Sequence, residues 1–181
     1  MRQLCRDHRP CLEGPDRLVV PAFSLAEPHI AISGKEQVRK RLGHELRAQL
    51  VDLGRSKPHR DVPESFETLS SILIGSAQVE RDNLRHTIAD LLRAAEVIAL
   101  DAAILRSAAG IQIRHVLSAQ DAIVLASVLA HLELHRPVES CFLNRNSKDF
   151  DDPDIRVRLE AFGCKFFTKF EEGRRYIASG M

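Results

Sequence analysis

The sequence predicts an α/β fold in which helices outnumber strands, and three observations carry that expectation. Short apolar runs at Leu18–Val20, Cys141–Leu143 and Cys164–Phe170 have strand length and are bounded by polar or turn residues. The last two are joined by a helix-length segment, and a strand–helix–strand unit of that span makes a right-handed parallel crossover. Elsewhere apolar residues recur at helical spacing: Leu42, Leu46, Leu50 and Leu53 in one stretch, Leu84, Ile88, Leu91, Leu92 and Ala95 in another. With 181 residues, 44% hydrophobic and 28% charged, the chain fits one soluble domain over 1–181 with a core of its own.

Residues 1–16 are expected to be irregular, because Pro10, Gly14 and Pro15 break any regular element. Arg17–Phe23 carries a compact apolar centre, Leu18, Val19 and Val20, that suits a short buried strand ended by Pro21. Ser24 stands three residues before Glu27, a capping-box spacing that starts a helix running toward Leu53, with Gly34 as a point of interruption. Gly54–Pro63 is a basic linker, and a long helix is expected over Glu64–Ala95. Val97–Leu100 reads as a brief extended link. Asp101 then caps the apolar stretch Ala102–Ala109, and Gly110–Leu117 leads to a second start signal, Ser118 with Asp121. The helix that follows is apolar on most sides and so belongs in the core, and Pro137 ends it. The final third alternates strand, helix over Asp154–Phe162 closed by Gly163, strand, and a short helix over Glu171–Ile177.

One block stands out for chemistry. The apolar run Cys141–Leu143 stops at a polar turn that holds Asp149, Asp151, Asp152 and Asp154 within six residues. Carboxylates crowded at the end of a buried strand repel one another unless a cation or basic group lies between them, and strand carboxyl ends are where open α/β sheets place their sites. A hard-metal site is one reading. The other is that Asp152 and Pro153 simply begin a helix, as N-cap and first helical residue. Capping is equally an alternative for Glu27 with Ser24 and for Asp121 with Ser118, and Asp149 suits an ordinary turn.

In order along the chain, VVPAFSLAEP, LSAQDAIVLASV, CFLNRNSKDF and GCKFFTKFEEGRRYI resemble the PIN domain, a small three-layer α/β/α nuclease fold with a short parallel sheet. The resemblance spans about residues 17–177. It implies acidic residues gathered at strand carboxyl ends to hold Mg²⁺ or Mn²⁺ for phosphodiester hydrolysis of single-stranded or structured RNA. Glu27 matches the acid opening the helix after the family's second strand, and Asp121 the acid opening the buried helix. Asn144 and Asn146 occupy the family's Thr-x-Asp or Thr-x-Asn pattern, with Asp149 three residues on. By resemblance, then, Glu27, Asp121 and Asp149 are the catalytic acids, and Asn146 joins them as a metal ligand. Arg145 and Lys148, with Lys35 and Arg39, are the nucleic-acid contacts. The family's first strand, ending in an acid, has no counterpart, since Met1–Pro10 reads MRQLCRDHRP. Either the chain begins late or it is a degenerate relative that no longer cleaves. The rival expectation is a non-catalytic interaction module, a toxin-type partner held by an antitoxin or other protein inhibitor, with a homodimer admitted.

Other chemistries find less support. Net charge is +1, so nothing overall drives binding to a polyanion. The charge is uneven, however: residues 35–60 carry eight basic against three acidic groups, and residues 61–101 carry eight acids against three arginines. That is either a basic face or two helix faces that neutralise each other. The four cysteines lack CxxC spacing, which argues against a zinc site built on them and against a disulfide framework. His131 and His135 lie one helical turn apart, but without a third ligand a surface role is the plainer reading. No apolar run is long enough for a membrane span and no leader is visible, so a cytoplasmic location is expected.

Overall fold

A computed structural model describes residues 17–53, 55 and 62–179 of the chain. The expectations for residues 1–16 and for most of the Gly54–Pro63 linker lie outside them. The element order is β1 (Leu18–Pro21), α1 (Ala22–Leu53), α2 (Val62–Ala94), β2 (Ala95–Ile98), α3 (Ala102–His115), α4 (Ala119–His135), β3 (Ser140–Leu143), α5 (Ser147–Phe150), α6 (Pro153–Glu160), β4 (Cys164–Phe167) and α7 (Phe170–Ala178). The fold is therefore mixed α/β, rich in helix, with short parallel strands. Two compact units divide it: residues 17–24 with 94–179, and residues 25–93.

The first unit is the α/β one. Its strands form two parallel pairs. β3 runs beside β4, Ser140 opposite Cys164 and Leu143 opposite Phe167, joined through α6 as the crossover requires. β1 runs beside β2, Leu18 opposite Ala95 and Pro21 opposite Ile98. The Leu18–Val20 run does not join β3 and β4: its hydrogen-bonded partner is β2, in a separate pair. Sequence favoured a helix up to Ala95. The helix ends at Ala94 and the extended segment expected from Val97 begins two residues earlier as the strand Ala95–Ile98, because backbone pairing with β1 is a long-range gain that local helix propensity does not report.

The core of this unit gathers on α4. Ala122, Val124, Leu125, Ala126, Leu129 and Leu132 are buried, and α3 contributes Ile104, Ala108 and Ile111. Phe142 of β3, Phe150 of α5 and Phe166 of β4 close the other side. Phe142 meets Phe150 edge-on at 5.5 Å, and each also packs on Phe166. Local signals set the helix ends. The Asp101 side chain accepts from Ile104 N at 2.8 Å at the start of α3. Gly110 lies inside α3, so the helix continues to His115 where a link was expected. Val116 then leaves it in a left-handed conformation. α6 begins as the sequence suggests, with Asp152 as N-cap and Pro153 at its first position. Gly163, at φ +69°, turns the chain into β4, and a side chain there would meet Val138 O at 3.1 Å.

The second unit is built from α1 and α2. α1 starts at Ala22, directly after Pro21, so Ser24 and Glu27 lie inside its first turns and the capping-box start is not formed there. α1 runs unbroken through both Pro28 and Gly34. Its Leu42, Leu46, Leu50, Leu53 stripe is helical but not buried, for Leu42 and Leu53 are exposed. Polar pairs link the two helices. Arg39 donates to Ser76 Oγ at 3.0 Å and to Glu80 at 2.8 Å, and Arg81 pairs with Glu36 at 2.9 Å. These bridges hold the Glu80 and Glu36 carboxyls below their ordinary pKa, Glu80 chiefly through its bond from Arg39 and Glu36 chiefly through its bond from Lys40. Of the two readings of the uneven charge, mutual neutralisation of helix faces is the one these pairs express.

Candidate functional site

Three of the residues singled out from the sequence meet in the α/β unit. The Asn144 side chain accepts from Asn146 N at 2.9 Å, an Asx-type turn that bends the chain as it leaves β3. Asn144 N itself donates to Phe167 O, so the turn is anchored to the neighbouring strand. Asn146 Nδ2 then donates to Asp121 Oδ1 at 3.2 Å and to Asp149 Oδ2 at 2.7 Å. Both amide protons are thereby used, one for each carboxylate. All three residues are half-buried.

Each is placed by identifiable physics. Asp121 lies in the first turn of α4, where Ser118 Oγ accepts from its backbone N–H at 3.1 Å and donates to its Oδ2 at 2.6 Å. The capping role and membership of the cluster therefore coexist, one carboxylate oxygen serving each. The positive end of the α4 dipole favours the anion there. Asp149 sits on α5, a single turn pinned from below by Phe150, which is wholly buried. Arg145 and Lys148 flank the cluster, are exposed, and make no ion pair among the described residues.

The remaining candidates belong to the helical unit. Glu27 is half-buried on α1 and Lys35 is exposed. Arg39 is committed to Ser76 and Glu80, which leaves its guanidinium a structural role between helices. No family model, curated protein or solved structure matches the chain.

Two further groups escaped the sequence. Glu96, His131 and His135 bring one carboxylate and two imidazoles within 4.8 Å of one another. The histidine spacing was visible, but the third member comes from β2, thirty-five residues upstream, and no local pattern announces it. Burial, reinforced by the neighbouring His135, pushes the His131 imidazole below its ordinary pKa. The second group is His115 with Asp152 and Asp154. Asp152 there is already engaged: Oδ1 accepts from Asp154 N at 2.8 Å, and Oδ2 lies 3.4 Å from His115 Nδ1. These contacts, the backbone one first, hold the Asp152 carboxyl below its ordinary pKa. Cys141 and Cys164 are free thiols pushed up in pKa by burial, which disfavours the thiolate form. Among the described residues no single helix is long and apolar enough to cross a membrane.

Proposed function

We propose that the chain is a Mg²⁺- or Mn²⁺-dependent phosphodiesterase acting on RNA, of the PIN-like endoribonuclease kind that its sequence resembles. The observation that carries this is the meeting of Asp121, Asn146 and Asp149 around one point at the carboxyl end of β3. Two carboxylates and an amide suit a hard dication, which takes oxygen ligands. Asp121 and Asp149 supply the charge. Asn146 joins them by presenting Oδ1 in place of Nδ2. Bound there, the ion supplies Lewis acidity to the phosphodiester and its attacking water. Arg145 and Lys148, exposed beside the cluster and without an ion pair among the described residues, would neutralise neighbouring phosphates.

A second reading has its own observation. The Asn146 amide already relieves the repulsion between the two carboxylates without any ion. A non-catalytic interaction module, including a toxin-type partner bound by an inhibitor protein, needs nothing more. The separating experiment incubates the purified chain with a mixed RNA pool, with Mn²⁺ or with EDTA, beside Asp121→Asn. Cleavage that requires Mn²⁺ and falls at least tenfold in the variant is the expected result. Absence of cleavage by the wild-type chain, or cleavage unaffected by the substitution, rejects the nuclease and leaves the interaction module.

A further inference from the structure

We propose that Glu96, His131 and His135 form a binding site for a transition-metal dication of the Zn²⁺ class, distinct from the acid cluster and independent of the nuclease reading. His131 and His135 sit one turn apart on α4, with ring centroids 4.3 Å apart, so a rigid buried helix sets their spacing. Glu96 projects from β2, which is hydrogen-bonded along its length to β1. The ligand set, two imidazoles and one carboxylate, is a borderline nitrogen–oxygen set that suits Zn²⁺ and leaves a fourth position open. It is a poor set for Mg²⁺, which requires oxygen ligands.

The local arrangement supports ligation by one particular oxygen. Arg17 pairs with Glu96 Oε2. Glu96 Oε1 lies 4.0 Å from His135 Nε2. Arg17 thus orients the carboxylate from behind and leaves the other oxygen turned toward the imidazoles, the part an outer-shell partner plays at metal sites. The negative end of the α4 dipole lies in the same turn as His135 and favours a cation. Tetrahedral ligation at about 2.0–2.1 Å sets donor atoms about 3.3 Å apart, so the widest present separation contracts by about 1.5 Å at most, within the reach of side-chain torsions. His131 is ten residues beyond Asp121 on one helix, which puts the two centres about 15 Å apart.

The test titrates the full-length chain with Co²⁺ in a thiol-free reducing buffer, following the visible bands of tetrahedral cobalt, and then displaces it with Zn²⁺. One equivalent is expected to bind, to be displaced by Zn²⁺ but not by millimolar Mg²⁺, and to raise Tm. His135→Ala, at an exposed position, should keep the metal-free Tm and weaken Co²⁺ binding at least tenfold; Glu96→Gln should weaken it as well. Absence of saturable binding, binding unchanged by His135→Ala, or a charge-transfer band from a thiolate ligand would each overturn the proposal.

Discussion

Replacing Asn146 by Asp tests what the acid cluster is for. The substitution removes two hydrogen bonds, at 3.2 and 2.7 Å, and sets a third negative charge between two others. Hydrogen bonds to charged groups contribute about 1.5–3 kcal/mol each when shielded, less for the longer of these and less again at half-buried positions. Two carboxylates about 4 Å apart repel by about 4 kcal/mol at an effective dielectric near 20, a figure that water and side-chain rotation reduce. The expected net cost is about 2–4 kcal/mol in EDTA. At about 2–4 °C per kcal/mol for a chain of this size, Tm falls by roughly 10 °C. A site meant for a hard cation gains a charged ligand in the same step. Mn²⁺ at a hundred times Kd returns about 2.7 kcal/mol, so the variant should recover most of its loss while the wild type gains less. Differential scanning fluorimetry of both proteins across a Mn²⁺ series measures this. A variant that is destabilised and not rescued by Mn²⁺ refutes the metal-site reasoning and leaves Asn146 as a structural bridge; a variant as stable as wild type in EDTA refutes the bridge itself.

Two other expectations follow from packing and capping. Asp152→Ala should cost about 1 kcal/mol at pH 7 by removing the N-cap of α6. Because the folded carboxyl has a depressed pKa, its contribution is present in full above about pH 4, the unfolded value, and is lost as pH falls through the folded one, so urea-unfolding curves of variant and wild type should draw together as the pH is lowered below about 4. Gly173→Ala puts a Cβ 2.1 Å from Leu143 Cδ2 and 3.1 Å from its Cγ, and should destabilise by about 1–3 kcal/mol. Adding Leu143→Ala should abolish that increment in a double-mutant cycle, and an increment that survives would show that α7 does not rest on β3 as described.

Elements whose signals are local were legible in the sequence. Asp101, Ser118 and Asp152 cap the helices they precede because the signature of an N-cap spans only three residues. The parallel pairing of Cys141–Leu143 with the Cys164 run followed from apolar character and crossover length, though the second strand stops at Phe167 and Phe170 opens α7. Signals that compete were misread. Ser24 and Glu27 look like a helix start, yet Pro21 already ends the strand and the helix forms at once behind it. α5 was read as plain turn because four residues carry no periodicity, and only the burial of Phe150 explains why that turn winds. Resemblance grouped Glu27, Asp121, Asn146 and Asp149, of which the last three meet in the α/β unit while Glu27 belongs to the helical one; Glu96 beside two histidines depends on how β2 packs near α4, which spacing does not encode.

Phe150 and Asp149 are neighbours on a turn too short to bend between them. One is the least exposed aromatic in the core, wedged against Phe142 and Phe166, and the other carries a carboxylate of the acid cluster. The position of that charge is consequently indexed to the fit of a hydrocarbon ring. A change such as Phe150→Leu, ordinarily counted as a modest loss of packing, would also let the carboxylate drift relative to Asp121. Interior volume and surface chemistry are geared together at this turn, so selection acting on either would constrain the other.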